Sequence, residues 1–175
     1  MDLVRGLPSS DLQRALTHSS WVEERTQSYE RLEFLGDSVL GLAIASTLCA
    51  RYPHKDEGDL ARNKAFVVSR ASCSQVARRL DVPGLIQAQA PASDSQREEA
   101  AGSTTVLGNV LEALIGACFQ VYGYEATSQA VAEAFDEQIA YAVTDYVDYK
   151  TALQEVLAVR GLQPIYELVE EDGPP

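Results

Sequence analysis

The chain has 175 residues, of which 46% are hydrophobic and 23% are charged, which is enough for one full-sized domain plus a short extra segment and excludes disorder throughout. Its 14 basic residues stand against 26 acidic ones, giving a formal net charge of -12, so a broad basic surface that attracts polyanions is excluded. Any phosphate chemistry therefore requires metal ions or a small local basic surface.

The cellular environment is predicted from features that the sequence lacks. No apolar signal core follows Met1, and no run of 18 uncharged apolar residues occurs, which predicts a soluble cytoplasmic protein without a membrane partner. The three cysteines, Cys49, Cys73 and Cys118, lack metal-ligand spacing. They are predicted to be buried thiols of a reducing compartment.

Helical periodicity near 3.6 residues dominates, and strand-like alternation is absent before residue 164. Short turn clusters separate the predicted helices, which are Ser9–Leu16, Tyr29–Ala50, Glu57–Ser69, Ser72–Leu80, Thr105–Tyr122 and Thr127–Ala142. Residues 88–103, rich in Ala, Ser, Gln and Glu, predict a mobile loop or a frayed polar helix. We therefore expect an all-α main domain over residues 1–146.

Residues 147–175 have a different pattern. An amphipathic helix over Lys150–Val159 ends at Arg160-Gly161, and Pro164–Val169 then alternates like a single strand. One helix and one strand cannot bury a core of their own. The segment is therefore predicted to be a linker and the beginning of a second domain that is cut off.

Three acidic residues gather at one end of the helix predicted over 29–50. At about 100° per residue, Glu30, Glu33 and Asp37 fall within roughly 60° of the helix surface. The remainder of the helix is apolar nearly all round, which indicates a central, buried helix. Buried like charges need a partner, and a hard divalent cation with oxygen ligands provides one. The alternative is a solvated acidic first turn that the helix dipole favours.

The second strongly apolar helix has two polar side chains before Gln120, namely Asn109 and Glu112. They are three residues apart and therefore lie on one face. Gly108 and Gly116 permit close approach of another helix. Two buried helices that each carry oxygen ligands are typical of metal sites in helical bundles. The alternative is a buried hydrogen-bonded pair of Asn109 and Glu112.

Together these residues resemble the ribonuclease III family. The matching segments, in chain order, are the helix end Leu16–Ser20, the signature helix Glu30–Leu40 (ERLEFLGDSVL), the block Glu57–Leu60 with Lys64-Ala65, and the metal-binding block Gly108–Leu114. Order and spacing agree over residues 7–142. Asp148–Glu155 also resembles the first helix of the family's double-stranded-RNA-binding domain.

The resemblance implies a ribonuclease III endonuclease-like helical fold that works as a homodimer. It implies hydrolysis of double-stranded RNA with Mg²⁺, for which Mn²⁺ can substitute, leaving 5′-phosphate and 3′-hydroxyl ends, in ribosomal and messenger RNA processing. By position, the implied site has catalytic Asp37 and Glu112, metal ligands Glu33, Asp37, Asn109 and Glu112, and accessory acids Glu30 and Glu57. Phe34 matches the residue that contacts the partner subunit, and its helix angle places it beside the acids rather than on the core face.

At Asn109 the sequence departs from the family pattern, which has Asp. Asn keeps an oxygen ligand but removes a full charge, which at ~4 Å and an effective dielectric constant near 20 is worth up to about 4 kcal/mol. Even half of this lowers a metal-dependent rate by more than about tenfold. The sequence therefore predicts a weakened nuclease, and the alternative function is a non-catalytic or impaired RNA-binding helical dimer.

The densest basic region contains Arg62, Lys64, Arg70, Arg78 and Arg79. This region is predicted to contact RNA phosphates, with Arg62 and Lys64 as the named candidates, and the alternative is a solvated helix face. His18 is interpreted as a structural hydrogen-bonding residue rather than a general base, and His54 as a surface residue.

Overall fold

The structure, a computed structural model, describes residues 2–144 and 149–165. These residues contain no strand, so the predicted all-α class is confirmed. The helices are α1 (Asp2–Arg5), α2 (Ser9–Ala15), α3 (Glu30–Arg51), α4 (Glu57–Val67), α5 (Arg70–Arg79), α6 (Val82–Gln89), α7 (Asp94–Gly102), α8 (Thr104–Ala134), α9 (Asp136–Thr144) and α10 (Tyr149–Val159). The chain divides into two compact units, Met1–Thr144 and Asp145–Pro175.

The centre of the first unit is the pair of long helices α3 and α8. Leu40 and Ile44 of α3, like Leu107 and Leu114 of α8, are almost completely buried. By length and apolar composition alone, each helix would also be able to cross a membrane, a property that core helices of soluble proteins share. Here their apolar surfaces pack on each other and on the surrounding helices.

The backbones of α3 and α8 approach closely where Gly36 faces Gly116. A Cβ atom at Gly36 would lie 1.7 Å from the carbonyl oxygen of Glu112, and one at Gly116 would lie 2.2 Å from the carbonyl oxygen of Leu32. Neither position has room for a side chain. The close approach predicted at Gly116 is therefore confirmed, and because Gly36 directly precedes Asp37, the crossing brings the acidic end of α3 beside Glu112.

The segment after α5 forms two helices, so of the two alternatives predicted for residues 88–103 the mobile loop is wrong and the polar helix is confirmed at α7. Asp81 adopts φ 57° and ψ 36° and caps α6, because its carboxylate accepts a hydrogen bond from the Gly84 N–H. Pro83 is tolerated in the first turn, where its missing N–H has no helical partner to lose. Ser93 and Gln96 then form a reciprocal capping box at the start of α7. These caps determine where the two helices begin, which the composition of the segment does not indicate.

α8 extends beyond its predicted end and is kinked at Gly123. Gly123 has φ 77° and ψ 180°, a conformation that residues with a side chain rarely adopt. Thr127 Oγ1 donates to the Gly123 carbonyl at 2.8 Å, and the helix resumes as far as Ala134. The prediction of one helix over Thr127–Ala142 is wrong, because Phe135 separates the end of α8 from α9.

The cysteines are only partly as predicted. Cys73 and Cys118 are buried, whereas Cys49 is exposed. Cys49 follows the core residue Leu48 on α3, and a turn of about 100° carries its side chain out of the core.

The second unit contains the helix predicted there. α10 covers Tyr149–Val159, and Gly161, with φ 68°, follows its end. Of the predicted strand Pro164–Val169, residues 164 and 165 are described and are not in a strand. The other residues of that predicted strand lie outside the described residues.

Candidate active site

An open cavity of about 550 Å³ brings together most of the predicted site residues. It is lined by residues of α3, of α8 and of the segment between α2 and α3, namely His18, Ser19, Tyr29, Glu30, Glu33, Phe34, Asp37, Asn109 and Glu112. The acids of α3 and the Asn–Glu pair of α8, distant in sequence, are therefore neighbours in space.

The start of α3 is held in place by its preceding residue, Tyr29. The Tyr29 N–H donates to the Thr17 carbonyl at 2.9 Å, which ties the beginning of α3 to the end of α2. The Tyr29 side chain is buried. Glu30 and Glu33 then occupy the first turn of α3, where the helix dipole favours negative charge.

Two of the carboxylates are in surroundings that oppose ionisation. Burial, followed by repulsion from Asp37 and Glu33, raises the pKa of Glu112 to about 7. Burial and the nearby Glu30 also raise the pKa of Glu33. Within the described ranges, neither Glu33 nor Glu112 forms an ion pair within 4 Å. The cluster therefore carries negative charge that a cation would stabilise.

Glu30 differs from the other acids because it has a basic partner. Arg25 donates two hydrogen bonds to its carboxylate, at 2.6 and 3.1 Å. The hydrogen bond from Arg25 lowers the pKa of Glu30. This bidentate pair keeps Glu30 ionised. The sequence analysis missed Arg25, because it precedes the helix and so falls outside the helical pattern.

Asn109 has a hydrogen-bond partner that the sequence analysis also missed. Its side chain hydrogen-bonds with the hydroxyl of Tyr29, which partly offsets the rise that burial causes in the pKa of Tyr29. The alternative of a hydrogen-bonded pair of Asn109 and Glu112 stays a prediction. Tyr29 links the start of α3 to the amide of α8.

α5 places a cation beside the carboxylates. Arg70 is exposed, and its Cγ lies 3.5 Å from the position that a Cβ atom at Gly108 would take. Gly108 thus faces α5, and the close approach of another helix predicted at this glycine is confirmed. The charge of Arg70 opposes the rise in the pKa of both Glu33 and Glu112.

Three other predicted residues do not line the cavity. Glu57 is exposed in the first turn of α4. Arg62 donates to the Asp59 carboxylate at 2.6 Å. Lys64 reaches α3 near Gly41, where its Nζ lies 3.6 Å from the position of a Cβ atom. The implied roles of these three residues therefore stay predictions.

Arg79 has a structural role. Its guanidinium donates to the Glu137 carboxylate and to the Ala134 carbonyl. These bonds join the end of α5 to the junction between α8 and α9.

His18 is held by short-range contacts. Its Nδ1 accepts a hydrogen bond from the Ser20 N–H at 3.1 Å. Its ring centroid lies 5.6 Å from those of Trp21 and Tyr29. These contacts support the interpretation of His18 as a structural residue on the cavity wall.

The oxygen donors in the cavity suit a hard divalent cation in kind. Three carboxylates, Glu33, Asp37 and Glu112, accompany the amide of Asn109, and oxygen donors are the ligands that Mg²⁺ prefers. In the part of the chain that the structure describes, no three His, Cys, Asp or Glu side chains are close enough together to hold a metal ion as they stand. The donor chemistry therefore fits the metal in kind.

Phe34 lies between two cavities. Its side chain is 78% exposed, beside the acids as its helix angle predicted. It lines the acidic cavity and also a larger open cavity of about 910 Å³, to which Arg14, Arg31 and Leu35 contribute. A large aromatic side chain as exposed as Phe34, next to charged groups, is typical of a surface that contacts another molecule.

Similar sequences come from one family. The model of the family described as Ribonuclease-III-like matches residues 9–139. Proteins called ribonuclease 3 from Methylocella silvestris, Rhodopseudomonas palustris and Mycobacterium tuberculosis are 37%, 40% and 38% identical over 93%, 93% and 96% of this chain. The chain spans 68%, 60% and 72% of the length of these relatives.

Solved structures with a similar fold include two of one nuclease domain and one of Giardia Dicer. The nuclease domain of ribonuclease III from Campylobacter jejuni gives a TM-score of 0.64 at 29% identity, covering 73% of this chain and 86% of that one. That structure is described as showing structural flexibility in a region involved in dimer formation. A second structure of that domain gives a TM-score of 0.67 at 24% identity, covering 85% and 98%. Giardia Dicer gives 0.56 at 26% identity, covering 78% of this chain and 19% of Dicer.

Proposed function

The chain belongs to the ribonuclease III family of enzymes, and from this premise we propose that it is an endoribonuclease that hydrolyses double-stranded RNA to 5′-phosphate and 3′-hydroxyl products. The observation that carries the proposal is the open cavity in which Glu33, Asp37 and Glu112 meet, with Asn109 as a fourth oxygen donor. Clustered carboxylates without a basic partner are the arrangement that phosphodiester hydrolysis with a metal ion requires.

Mg²⁺, with Mn²⁺ as a substitute, is the metal that this site would hold. Glu33, Asp37 and Glu112 would bind it through carboxylate oxygens and Asn109 through its amide oxygen. When bound, the metal supplies an activated water and stabilises negative charge on the leaving oxygen.

The other residues of the site prepare these ligands. Because the pKa of Glu112 is about 7, its carboxyl group holds a proton in a substantial fraction of molecules at neutral pH and releases it when a cation takes its place. Tyr29 positions the amide of Asn109 by hydrogen bonding. Arg25 keeps Glu30 ionised and paired, so that Glu30 adds less repulsion to the cluster.

Asn109 favours a second candidate function, an RNA-binding helical dimer with impaired or no catalysis. With an amide at this position the site has three charged ligands instead of four. The missing charge weakens metal binding by up to about 4 kcal/mol. The retained acids Glu33, Asp37 and Glu112 favour the nuclease, because a purely structural descendant has no use for them in one cavity.

We also propose that the chain works as a homodimer in which Phe34 contacts the partner subunit. Its 78% exposure in the isolated chain leaves a large aromatic surface uncovered. A related nuclease domain has a region involved in dimer formation, which supports the same assembly here.

The deciding experiment is cleavage of a long labelled RNA duplex and of single-stranded RNA with the same sequence. We expect the duplex alone to be cut, with Mg²⁺ or Mn²⁺ and not with a chelator, and to yield ends that carry 5′-phosphates. Glu112→Gln is the matched control, because it removes one carboxylate charge and retains nearly the same shape. Duplex binding without cleavage in either metal, in the unaltered chain and in Asn109→Asp alike, would favour the second function.

A further inference from the structure

We propose that Arg70 is a substrate-contact residue whose guanidinium binds an RNA backbone phosphate beside the carboxylate cluster. The inference rests on the proposed nuclease function and deepens it. Arg70 would supply the positive charge that a polyanion needs in order to approach an acidic cavity.

The position of Arg70 is fixed by its packing on α8. Its Cγ lies 3.5 Å from the Cβ position of Gly108, and the Cβ atom of Cys73, one turn later on α5, lies 3.8 Å from the same point. Gly108 and Glu112 are four residues apart and therefore share one face of α8. The stem of Arg70 thus crosses α8 about one helical turn, roughly 5.4 Å along the axis, from Glu112.

The electrostatic effects agree with this placement. The charge of Arg70 acts on both Glu33 and Glu112. Cys73 lies one turn after Arg70 on α5. Burial raises the pKa of the Cys73 thiol, and the nearby carboxylates of Glu112 and Asp37 raise it further. The face of α5 that carries Arg70 therefore adjoins the acidic cavity.

Arg70 is available to a ligand. Over the described residues it forms no ion pair within 4 Å, and it is exposed. Arg25 and Arg62, by contrast, are each bonded to a carboxylate at 2.6 Å. A planar guanidinium with free donors next to an open cavity is suited to bidentate binding of a phosphate.

An RNA phosphate needs such a cation at this site. The chain has a net charge of -12, and the cavity wall presents Glu33, Asp37 and Glu112. A metal ion offsets part of this repulsion, and Arg70 would offset it at the neighbouring phosphate. The alternative is that Arg70 only stabilises the ionised carboxylates and never contacts RNA.

The test compares Arg70→Ala and Arg70→Lys with Arg5→Ala, which removes the same charge from an exposed arginine of α1. We expect Arg70→Ala to slow single-turnover cleavage of a labelled RNA duplex by tenfold or more. Binding of that duplex in a chelator should show a slope of log K against log salt that is smaller by about one. Arg70→Lys should restore the slope and only part of the rate, because lysine lacks the planar fork. The melting temperature should stay unchanged in Arg70→Lys and Arg5→Ala, so the lysine variant separates a phosphate contact from the packing of the Arg70 stem on α8.

Two results would overturn the inference. One is an Arg70→Ala variant that matches Arg5→Ala in both rate and salt slope. The other is a slower Arg70→Ala variant with an unchanged salt slope and an altered Mg²⁺ requirement, which would show that Arg70 acts on the carboxylates alone. If the unaltered chain neither binds nor cuts the duplex, the proposed function itself fails. That result differs from one in which the chain is active and Arg70→Ala behaves like Arg5→Ala.

Discussion

Individual acids in the cavity have different electrostatic environments, although all lie within two helices. Glu30 is paired with Arg25, Glu112 is partly buried without a basic partner, and Asp37 is exposed. A partly buried carboxylate with a raised pKa, such as Glu112 or Glu33, binds protons and cations in competition. Metal binding by the cluster should therefore depend on pH.

Restoring the carboxylate at position 109 tests the effect of the missing charge. We expect Asn109→Asp to tighten metal binding and raise single-turnover cleavage of a labelled duplex by at least about tenfold, since half of the estimated 4 kcal/mol already gives this factor. The Asn109 amide donates to the Tyr29 oxygen in the unaltered chain, whereas in Asn109→Asp the Tyr29 hydroxyl would have to donate to the carboxylate.

Two controls accompany that variant. Glu112→Gln should abolish the remaining activity, because the α8 side of the site would then offer two neutral amides. Mn²⁺ binds oxygen sites somewhat more strongly than Mg²⁺ and should partly restore the unaltered chain. Equal rates for the unaltered chain and Asn109→Asp would show that the fourth charge is dispensable and that the chain is a fully competent nuclease.

Glu112 should also lower the stability of the metal-free protein as the pH rises. Its pKa is about 7 in the folded chain against an ordinary value of 4.5, so the folded state binds the proton more tightly than the unfolded state. Stability is therefore highest below about pH 4.5 and decreases as the pH rises to about 7. With screening by solvent, we expect the loss to be roughly 1 to 2 kcal/mol.

Glu112→Gln isolates this contribution. In the presence of a chelator, Glu112→Gln should become more stable relative to the unaltered chain as the pH rises from 4.5 to 7. Above pH 7 the difference between their free energies of unfolding should level off. Denaturant unfolding at several pH values measures it. A difference that does not depend on pH would mean that Glu112 is not held in an unfavourable environment.

The sequence predicted the acids of the site better than their partners. Helical periodicity places Glu30, Glu33 and Asp37 on one face, and the same rule pairs Asn109 with Glu112, because these relations depend only on local geometry. The contacts of Arg25, Arg70 and Tyr29 depend on how separate elements pack. No spacing rule within one helix contains that information.

At the scale of helices, the crossing of α3 and α8 determines whether the two halves of the site meet. Gly116→Ala would place a methyl group 2.2 Å from the Leu32 carbonyl oxygen, so the helices must separate. We expect a loss of about 3 kcal/mol in the free energy of unfolding and reduced cleavage, because Glu112 would move away from Asp37. Thermal or denaturant unfolding measures the first effect.

Gly102→Ala is the matched control for that substitution. A Cβ atom at Gly102 meets nothing within 4 Å, so the variant should keep its stability within about 0.5 kcal/mol and its activity. If Gly116→Ala were as stable as Gly102→Ala, the close crossing would not hold the fold together.

The helices that the sequence predicted well are those with long apolar faces. α3 and α5 begin or end within two residues of their predicted bounds, because burial fixes their periodicity. α6 was missed, and α7 was predicted only as one of two alternatives, because the limits of both helices depend on caps. Asp81 reads as a turn residue, and only its left-handed conformation and the bond to Gly84 show that it begins a helix.

At the scale of the whole molecule, charge and size limit how the chain engages RNA. A net charge of -12 leaves only local basic contacts such as Arg70 for binding a phosphate backbone. Duplex RNA is recognised mainly by its shape and backbone, so binding should weaken steeply with salt. A second subunit would double the contacts available along one duplex and increase the overall affinity.

Dimer formation through Phe34 is therefore the prediction on which RNA binding by the whole assembly depends. We expect sedimentation to show a dimer at micromolar concentration, and Phe34→Ala to weaken it by roughly 30-fold, since a central aromatic contact is worth about 2 kcal/mol or more. The melting temperature of the subunit should hardly change, because the side chain is 78% exposed in the isolated chain. Leu42→Ala, which removes another exposed apolar side chain from α3, should leave the dimer intact. A species of 19.0 kDa at every concentration would contradict the assembly, and equal dimer affinity in both variants would show that Phe34 is not its contact.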